Sequence, residues 1–366
     1  MSQPVVWVST GMFSWGHRQL ADNALFMLRE WTREPSPHRF IHMDPLAPPS
    51  ARDALAYRAS NQGPWWQVEP GMSPGHLETL GMRAAVVRPE DLQRALGSRP
   101  LVVHTTSYHL DTMGPFWRPL HPDVLVYEAL ENVAAPHETL AARHRAASAE
   151  ADVVVSISEG TAATLDAPPE RILHWGSAVD PTFWRRPPAA PQWTFGFFGN
   201  LMDWIDFDLL DALAAAMPED RIALIGPVAA DTTERLSRLL SARPNVVYQP
   251  AVSYGALPDV VRHMAIGLLP RTASARSRAS DPLKLYEYLA AGKPVVSSLP
   301  VPDAVAPHVY YGDTPAQFVA ACRQARGDWA KGRHDPWAPA IQALLEERSW
   351  RRRAADVWDR AMAELA

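Results

Sequence analysis

The sequence predicts an α/β protein built from two Rossmann-like domains. Three observations predict it. The chain has 366 residues, more than one hydrophobic core usually holds. Short apolar, β-rich runs alternate with helical patterns, the signature of parallel strands joined by crossover helices. A stretch with four prolines in thirteen residues, PTFWRRPPAAPQW (181–193), separates the halves, and such composition favours an extended linker.

The second half is the clearer. Strands are expected at about 194–198, 221–225, 245–248, 265–269, 294–298 and 308–311, with helices at 206–217, 231–242, 255–264, 282–291 and 314–326. Six strands joined this way predict the doubly wound order 3-2-1-4-5-6. In the first half, strands are expected at 4–9, 39–42, 84–88, 101–104, 123–127, 152–157 and 171–174. Helices are expected there at 17–33, 90–96, 135–150 and 158–165. The stretch 43–83, rich in Pro, Gly and Trp, fits no repeat and predicts an insertion or irregular loops. The linker places one domain over 1–185 and the other over 190–348.

Composition excludes several classes. Hydrophobic residues at 47% and charged residues at 20% describe a folded chain. The net charge of -5 argues against nucleic acid as the partner, which calls for a basic surplus. Cys322 is the only cysteine, so neither a disulfide framework nor a cysteine metal cluster is expected. The first residues lack the basic region of a signal peptide, and no uncharged apolar run reaches the roughly 18 residues of a membrane span. A cytoplasmic protein is the expectation. Only Lys284, Lys293 and Lys331 are lysine; the other basic residues are arginine. Two lysines within one ten-residue stretch invite a site-specific reading.

That stretch is SDPLKLYEYLAAGKPVVSS (280–298). Asp281 suits an N-cap and Pro282 the first helical position, with Leu283 following. Gly292 and Pro294 end the helix. A helix starting after a polar loop offers unpaired N–H groups to an anion. Lys284 in the first turn opposes the helix dipole unless an anion sits in front of it. Glu287 lies on the same face. A cation for phosphate and a carboxylate for a pair of hydroxyls would read a nucleotide; a solvated Lys–Glu pair is the alternative. In the 3-2-1-4-5-6 order, strands 1 and 4 are neighbours and ligands bind beyond their C-terminal ends. Strand 1 ends in Gly199-Asn200 and strand 4 in Pro270-Arg271. Gly199, Asn200, Arg271 and Lys284 would then converge on a diphosphate held without a metal. Arg276 and Arg278 are lesser candidates.

PLKLYEYLAAGKPVV (282–296) resembles the donor-binding signature of GT-B glycosyltransferases, of the xanthan and teichuronic acid polysaccharide type. FGFFGNLMDWIDFDLL (195–210), NVVYQPAVSYGALPDVV (245–261), HWGSAVDPTFW (174–184) and RSWRRRAADVW (348–358) resemble further segments of that family in its order. The resemblance covers 125–360 well and the first 120 residues loosely. It implies two Rossmann-like domains with parallel sheets facing a central cleft, an acceptor side in the first and a nucleotide-sugar donor site in the second. A terminal helix (349–366) would pack back onto the first domain. It implies Glu287 on the ribose hydroxyls, Lys284 and Arg271 on the diphosphate, and the base near Pro250–Tyr254; helix-start packing is the alternative for Tyr254. The second glutamate that many retaining members carry falls on Ala279, and Gly176-Ser177 replaces the usual Asn of the inter-domain turn.

A sugar hydroxyl needs a base to take its proton and cations to stabilise the departing diphosphate. VLVYEALEN (124–132) resembles the Tyr-x-x-x-Asp segment of xanthan-type inverting glucuronosyltransferases, with Tyr127 matching and Glu131 at the aspartate position. Glu131 is the expected general base, Glu128 the second choice. His17, Arg18, His104 and Tyr108 follow expected strand ends and are acceptor-side candidates. The thirteen histidines show no H-E-x-x-H spacing, and HMDP (42–45) has no second carboxylate for Asp-x-Asp; no metal or other cofactor is expected. Some of the fourteen tryptophans could line an acceptor groove, although core packing is the default. A lipid-linked acceptor would add peripheral membrane contact, for which no long basic run is present. The expected activity is inverting transfer from a UDP-linked sugar to a glycan, glycolipid or small-molecule hydroxyl. A 2-epimerase of the same fold and a non-catalytic sugar-nucleotide-binding subunit are the rivals. A dinucleotide oxidoreductase is not expected, because no G-x-G-x-x-G follows either first strand.

Overall fold

Residues 3–10, 23–33, 36–43, 66–68, 77–80, 97–106, 118, 121–130, 138–184, 189–303, 305–333 and 339–366 are described by the structure, a computed structural model. The chain divides into two units, Met1–Gly176 with Trp350–Ala366, and Ser177–Ser349.

The first unit runs β1 (Val6–Thr10), α1 (Asn23–Trp31), β2 (Arg39–Met43), β3 (Trp66–Val68), β4 (Leu77–Leu80), β5 (Leu101–Thr106), β6 (Val124–Ala129), α2 (Glu138–Glu150), β7 (Val153–Ser156), α3 (Glu159–Ala162) and β8 (Ile172–His174). Its sheet has the order β3-β4-β2-β1-β5-β6-β7-β8, parallel except for β3 against β4. β5 and β6 are buried along their whole length, as strands of a sheet covered on both faces should be, although each carries polar residues towards its C-terminal end. Two elements depart from expectation. The 43–83 stretch, read as irregular, carries β3 and β4, which are too short to leave a periodic signal. The strand expected at 84–88 and the helix expected at 90–96 lie outside the described residues.

The second unit runs β9 (Trp193–Phe198), α4 (Phe207–Ala216), β10 (Ile222–Ile225), α5 (Thr233–Ala242), β11 (Val246–Gln249), α6 (Leu257–Val261), β12 (Met264–Leu269), α7 (Ala275–Ala279), α8 (Leu283–Ala290), β13 (Val295–Ser297), β14 (Val309–Tyr311), α9 (Pro315–Ala330) and α10 (Pro339–Glu347). Its order, β11-β10-β9-β12-β13-β14, is all parallel and doubly wound. Helix starts are chemically specified. Asp206 accepts from the N–H groups of Asp208 and Leu209 to cap α4, and Thr314 with Gln317 forms a capping box on α9. One core layer joins α4 and α9 to the sheet through Phe195, Leu209, Leu213, Phe318 and Cys322. The opposite layer packs α8 and α10 through Leu285, Tyr288, Leu289, Ile341 and Leu345.

The boundary expected near 185 falls instead after Gly176. Residues 177–184 belong to the second unit for a physical reason: the Val179 N–H donates to the Arg348 carbonyl (2.8 Å), and Phe183 is fully buried in that unit's core. The last helix, α11 (Trp350–Glu364), belongs to the first unit. Trp350 packs on Phe26 (4.8 Å between centroids) and Trp358 stacks on Trp7 (5.3 Å). Trp31 Nε1 donates to the Ala354 carbonyl (2.9 Å). Trp7, Trp31, Trp350 and Trp358 therefore hold this helix in place. Among the described residues no helix is long and apolar enough to cross a membrane.

Candidate functional site

The site of the second unit forms where β9 and β12 lie side by side, the switch point of the sheet. β9 gives way to Gly199 at φ +122°, and β10 to Gly226 at φ +144°. A Cβ on Gly199 would overlap Cε of Lys284, and one on Gly226 would overlap the Gly199 carbonyl oxygen. Only glycine permits this layering. The lysine stem lies across the strand end, with Nζ 5.8 Å from the centroid of Phe197. Burial lowers the Lys284 pKa; Glu287 opposes that shift and Arg271 adds to it. Arg271 is itself placed at the end of β12, its N–H donating to Ser298 Oγ (2.7 Å).

Glu287 sits one turn beyond Lys284 on α8, only 1% exposed. Tyr254 donates its hydroxyl to Oε1 at 2.7 Å. Burial raises the carboxyl to about 7; the Tyr254 hydrogen bond and the charge of Lys284 pull it down, and Asp180 pushes it up. Lys284 and Glu287 feel each other's charge without closing an ion pair. A cation and a carboxylate kept from full satisfaction beside a glycine-lined strand end can bind an anion and a hydroxyl pair together.

Gly199, Arg271, Lys284, Glu287 and Tyr254 are thus brought together. Asn200 is exposed just beyond them. One expectation is corrected. Asp281 is not the N-cap: Pro282 holds that position without a side-chain bond, and Leu283 begins the helix. The Asp281 carboxylate is used elsewhere, accepting from Ser177 N–H (2.9 Å), Arg348 Nη1 (2.8 Å) and Tyr286 OH (2.7 Å). It is a tie, not a ligand group. Tyr254, half-buried, packs its ring on Phe183 (5.8 Å between centroids) and turns its hydroxyl to Glu287. Arg278 is exposed and donates to the Ala273 carbonyl, and the side chain of Arg276 lies outside the described residues.

The first unit places His104 and Glu128 side by side, both with 0% exposure. Ser9 Oγ is 3.0 Å from His104 Nδ1, and His104 Nε2 is 3.4 Å from Glu128 Oε2. Glu128 Oε1 accepts from Asn23 Nδ2 (3.1 Å) and pairs with Arg353 Nη2 of α11. Burial alone would raise Glu128; the Arg353 guanidinium, His104 and Asn23 overcome it and hold the carboxyl at about 2. A sealed, ion-paired carboxylate cannot serve as a general base near neutrality, so the second choice for that role is withdrawn, and buried His104 is a partner of Glu128 rather than an acceptor contact. Tyr127, fully buried, bonds its hydroxyl to His144. Glu131, His17, Arg18 and Tyr108 lie outside the described residues.

Arg348 and Arg353 were not singled out from sequence. Arg353 had a signal: with Trp350, Val357 and Ala361 it falls on the buried stripe of α11, where an arginine needs a carboxylate.

Comparisons with known proteins bear on the fold. No family model matches the chain. It is 34% identical over 137 residues to TuaH of Bacillus subtilis (strain 168), named for a glycosyltransferase of teichuronic acid biosynthesis; the match spans 36% of this chain and 34% of that relative. The chain is similar in fold to HepE of Anabaena in complex with UDP-glucose, with 15% identity and a TM-score of 0.64 over 97% of this chain and 99% of the other. It is likewise similar to sucrose-phosphate synthase of Thermosynechococcus elongatus, with 14% identity and a TM-score of 0.67 over 99% of both chains. The fold is therefore α/β of the GT-B class, two Rossmann-like units in one chain.

Proposed function

We propose that the chain is a glycosyltransferase that moves a sugar from a nucleotide diphosphate, UDP-linked, to a hydroxyl of a glycan, glycolipid or small molecule. The observation that carries the reading is the buried Glu287 beside Lys284, laid over Gly199 at the switch point of the second sheet. Glu287 accepts from the ribose hydroxyls. Lys284 and Arg271 neutralise the diphosphate and, as the bond to the anomeric carbon breaks, the charge that develops on the leaving oxygen. The UDP-glucose complex of HepE supports UDP as the carrier, and the name of TuaH, for teichuronic acid biosynthesis, supports glycosyl transfer. Direct displacement inverts the anomeric centre, and Glu131 takes the acceptor proton as the bond forms. No metal is assigned to the diphosphate. A lipid-linked acceptor would bring a cytoplasmic enzyme to the inner face of the membrane.

Release of UDP from a panel of UDP-sugars, with and without glycan and lipid-linked acceptors, tests the activity. Acceptor-dependent release is expected. Release that ignores the acceptor, with sugar epimerised instead of transferred, would replace the reading. Glu131→Gln is expected to abolish transfer while UDP still binds; unchanged turnover removes Glu131 from the mechanism.

A further inference from the structure

Tyr254 occupies an unusual position for a residue next to a nucleotide site. It opens a 3-10 turn after β11, Tyr254–Ala256, in a loop whose preceding residues 250–253 are exposed. Its ring does not follow them outward. It packs on Phe183 at 5.8 Å, and Phe183 in turn stacks on Phe198 at 6.3 Å. Phe183 is fixed by its own turn, Pro181–Phe183, which Asp180 caps by accepting from Thr182 N–H at 2.8 Å. A capped turn thus braces an aromatic pair, and the pair aims one hydroxyl at Glu287 Oε1. That is the one hydrogen bond made to this carboxylate among the described residues, and among them Oε2 has no hydrogen-bond partner.

We infer that Tyr254 is the positioning residue of the hydroxyl-pair subsite: by donating to Oε1 it fixes the plane of the Glu287 carboxylate and leaves Oε2 to accept from the two neighbouring hydroxyls of a ribose. The inference rests on the proposed nucleotide reading and adds to it a role that neither base stacking nor helix-start packing would give this tyrosine. It has a chemical consequence. A hydrogen bond to an ionised carboxylate favours ionisation, and Tyr254 works against burial, which raises Glu287 to about 7. The other groups facing Glu287 are Lys284 and Tyr288 on its own helix and Asp180 from the 177–184 segment, with Arg271 beyond Lys284. None of these is altered when the tyrosine loses only its hydroxyl. A diol accepts no proton from Glu287; it donates to the carboxylate, so the ionised form is the binding form, and affinity rises as pH increases through the Glu287 pKa.

The experiment is the affinity of UDP between pH 5.5 and 9 for wild type, Tyr254→Phe and Glu287→Gln, measured by calorimetry. Tyr254→Phe keeps the ring on Phe183 and should fold. Its acidic limb is expected to move up by about one pH unit, the scale of one charge-assisted hydrogen bond. Near pH 7 that weakens binding about fivefold, and the deficit closes as pH rises. Glu287→Gln is expected to lose the acidic limb. If wild type and Glu287→Gln differ as stated but Tyr254→Phe keeps the wild-type profile, or loses affinity equally at every pH, the positioning role is overturned and the tyrosine merely packs or stacks. If wild type binds no UDP at any pH, the nucleotide reading fails and the inference falls with it.

Discussion

Two glutamates, one in each unit, are equally hidden from water and meet opposite fates. Glu128 has 0% exposure and Glu287 has 1%. Burial raises both. Glu128 is nevertheless held at about 2, whereas Glu287 stands at about 7. The difference is the company. Glu128 has a guanidinium in direct contact, with an amide and an imidazole beside it. Glu287 has one tyrosine hydroxyl and an ammonium that does not reach it. A buried carboxylate in direct contact with a guanidinium stays charged and fastens a helix; one that has only a hydroxyl for a partner is pushed towards its neutral form. The same reasoning separates the lysines. Lys293 donates to the Arg262 carbonyl at the end of α6 and is spent on structure, while Lys284 lies over a strand end with its charge opposed by burial.

The contrast can be broken most forcefully at Arg353. Arg353→Ala leaves Glu128 charged and buried, and should destabilise the first unit by about 3–5 kcal/mol. Thermal unfolding checks this, and the double variant Arg353→Met with Glu128→Gln should recover much of the loss. An unchanged Tm for the single variant would mean the pair does not fasten α11. A smaller effect is expected at Lys284. Lys284→Ala should weaken UDP about tenfold to hundredfold, the range of a bond to a charged group, with little change in unfolding. Equal affinity would remove the diphosphate contact.

The two carboxylates should also leave opposite marks on stability against pH. Glu128 is depressed from 4.5 to about 2, so its contribution is present above 4.5 and is lost as pH falls towards 2. Glu287 is raised from 4.5 to about 7, so its protonated form favours folding below 4.5 and that advantage is lost as pH rises through 7. Glu287→Gln should therefore stabilise the ligand-free protein at pH 8, on the order of 1 kcal/mol or more. A denaturant titration at pH 8 decides it, and a destabilised variant would contradict the sign.

What the sequence disclosed follows from how local each signal is. The order of the second sheet, the helix carrying Lys284 and Glu287 and the turn at Gly199 were legible, because strand runs, helix ends and glycine act over a few residues. The use of Asp281 was not. Its position before Pro282 reads as a cap, and only the fold brings Ser177 and Arg348 to it. The role of Glu128 was misread for a related reason. A charge inside the apolar run VLVYEA signals a buried partner, but that partner is Arg353, far along the chain on α11. The short strands β3 and β4 had too few residues to show a period.

The central claim is that Glu287 is kept short of hydrogen bonds until a nucleotide supplies them. The most direct measurement is the number of protons exchanged when UDP binds at pH 7, from calorimetry in two buffers of different ionisation enthalpy, for wild type and Glu287→Gln. Net proton release by wild type that vanishes in the variant is predicted. The same proton count in both proteins would contradict the claim.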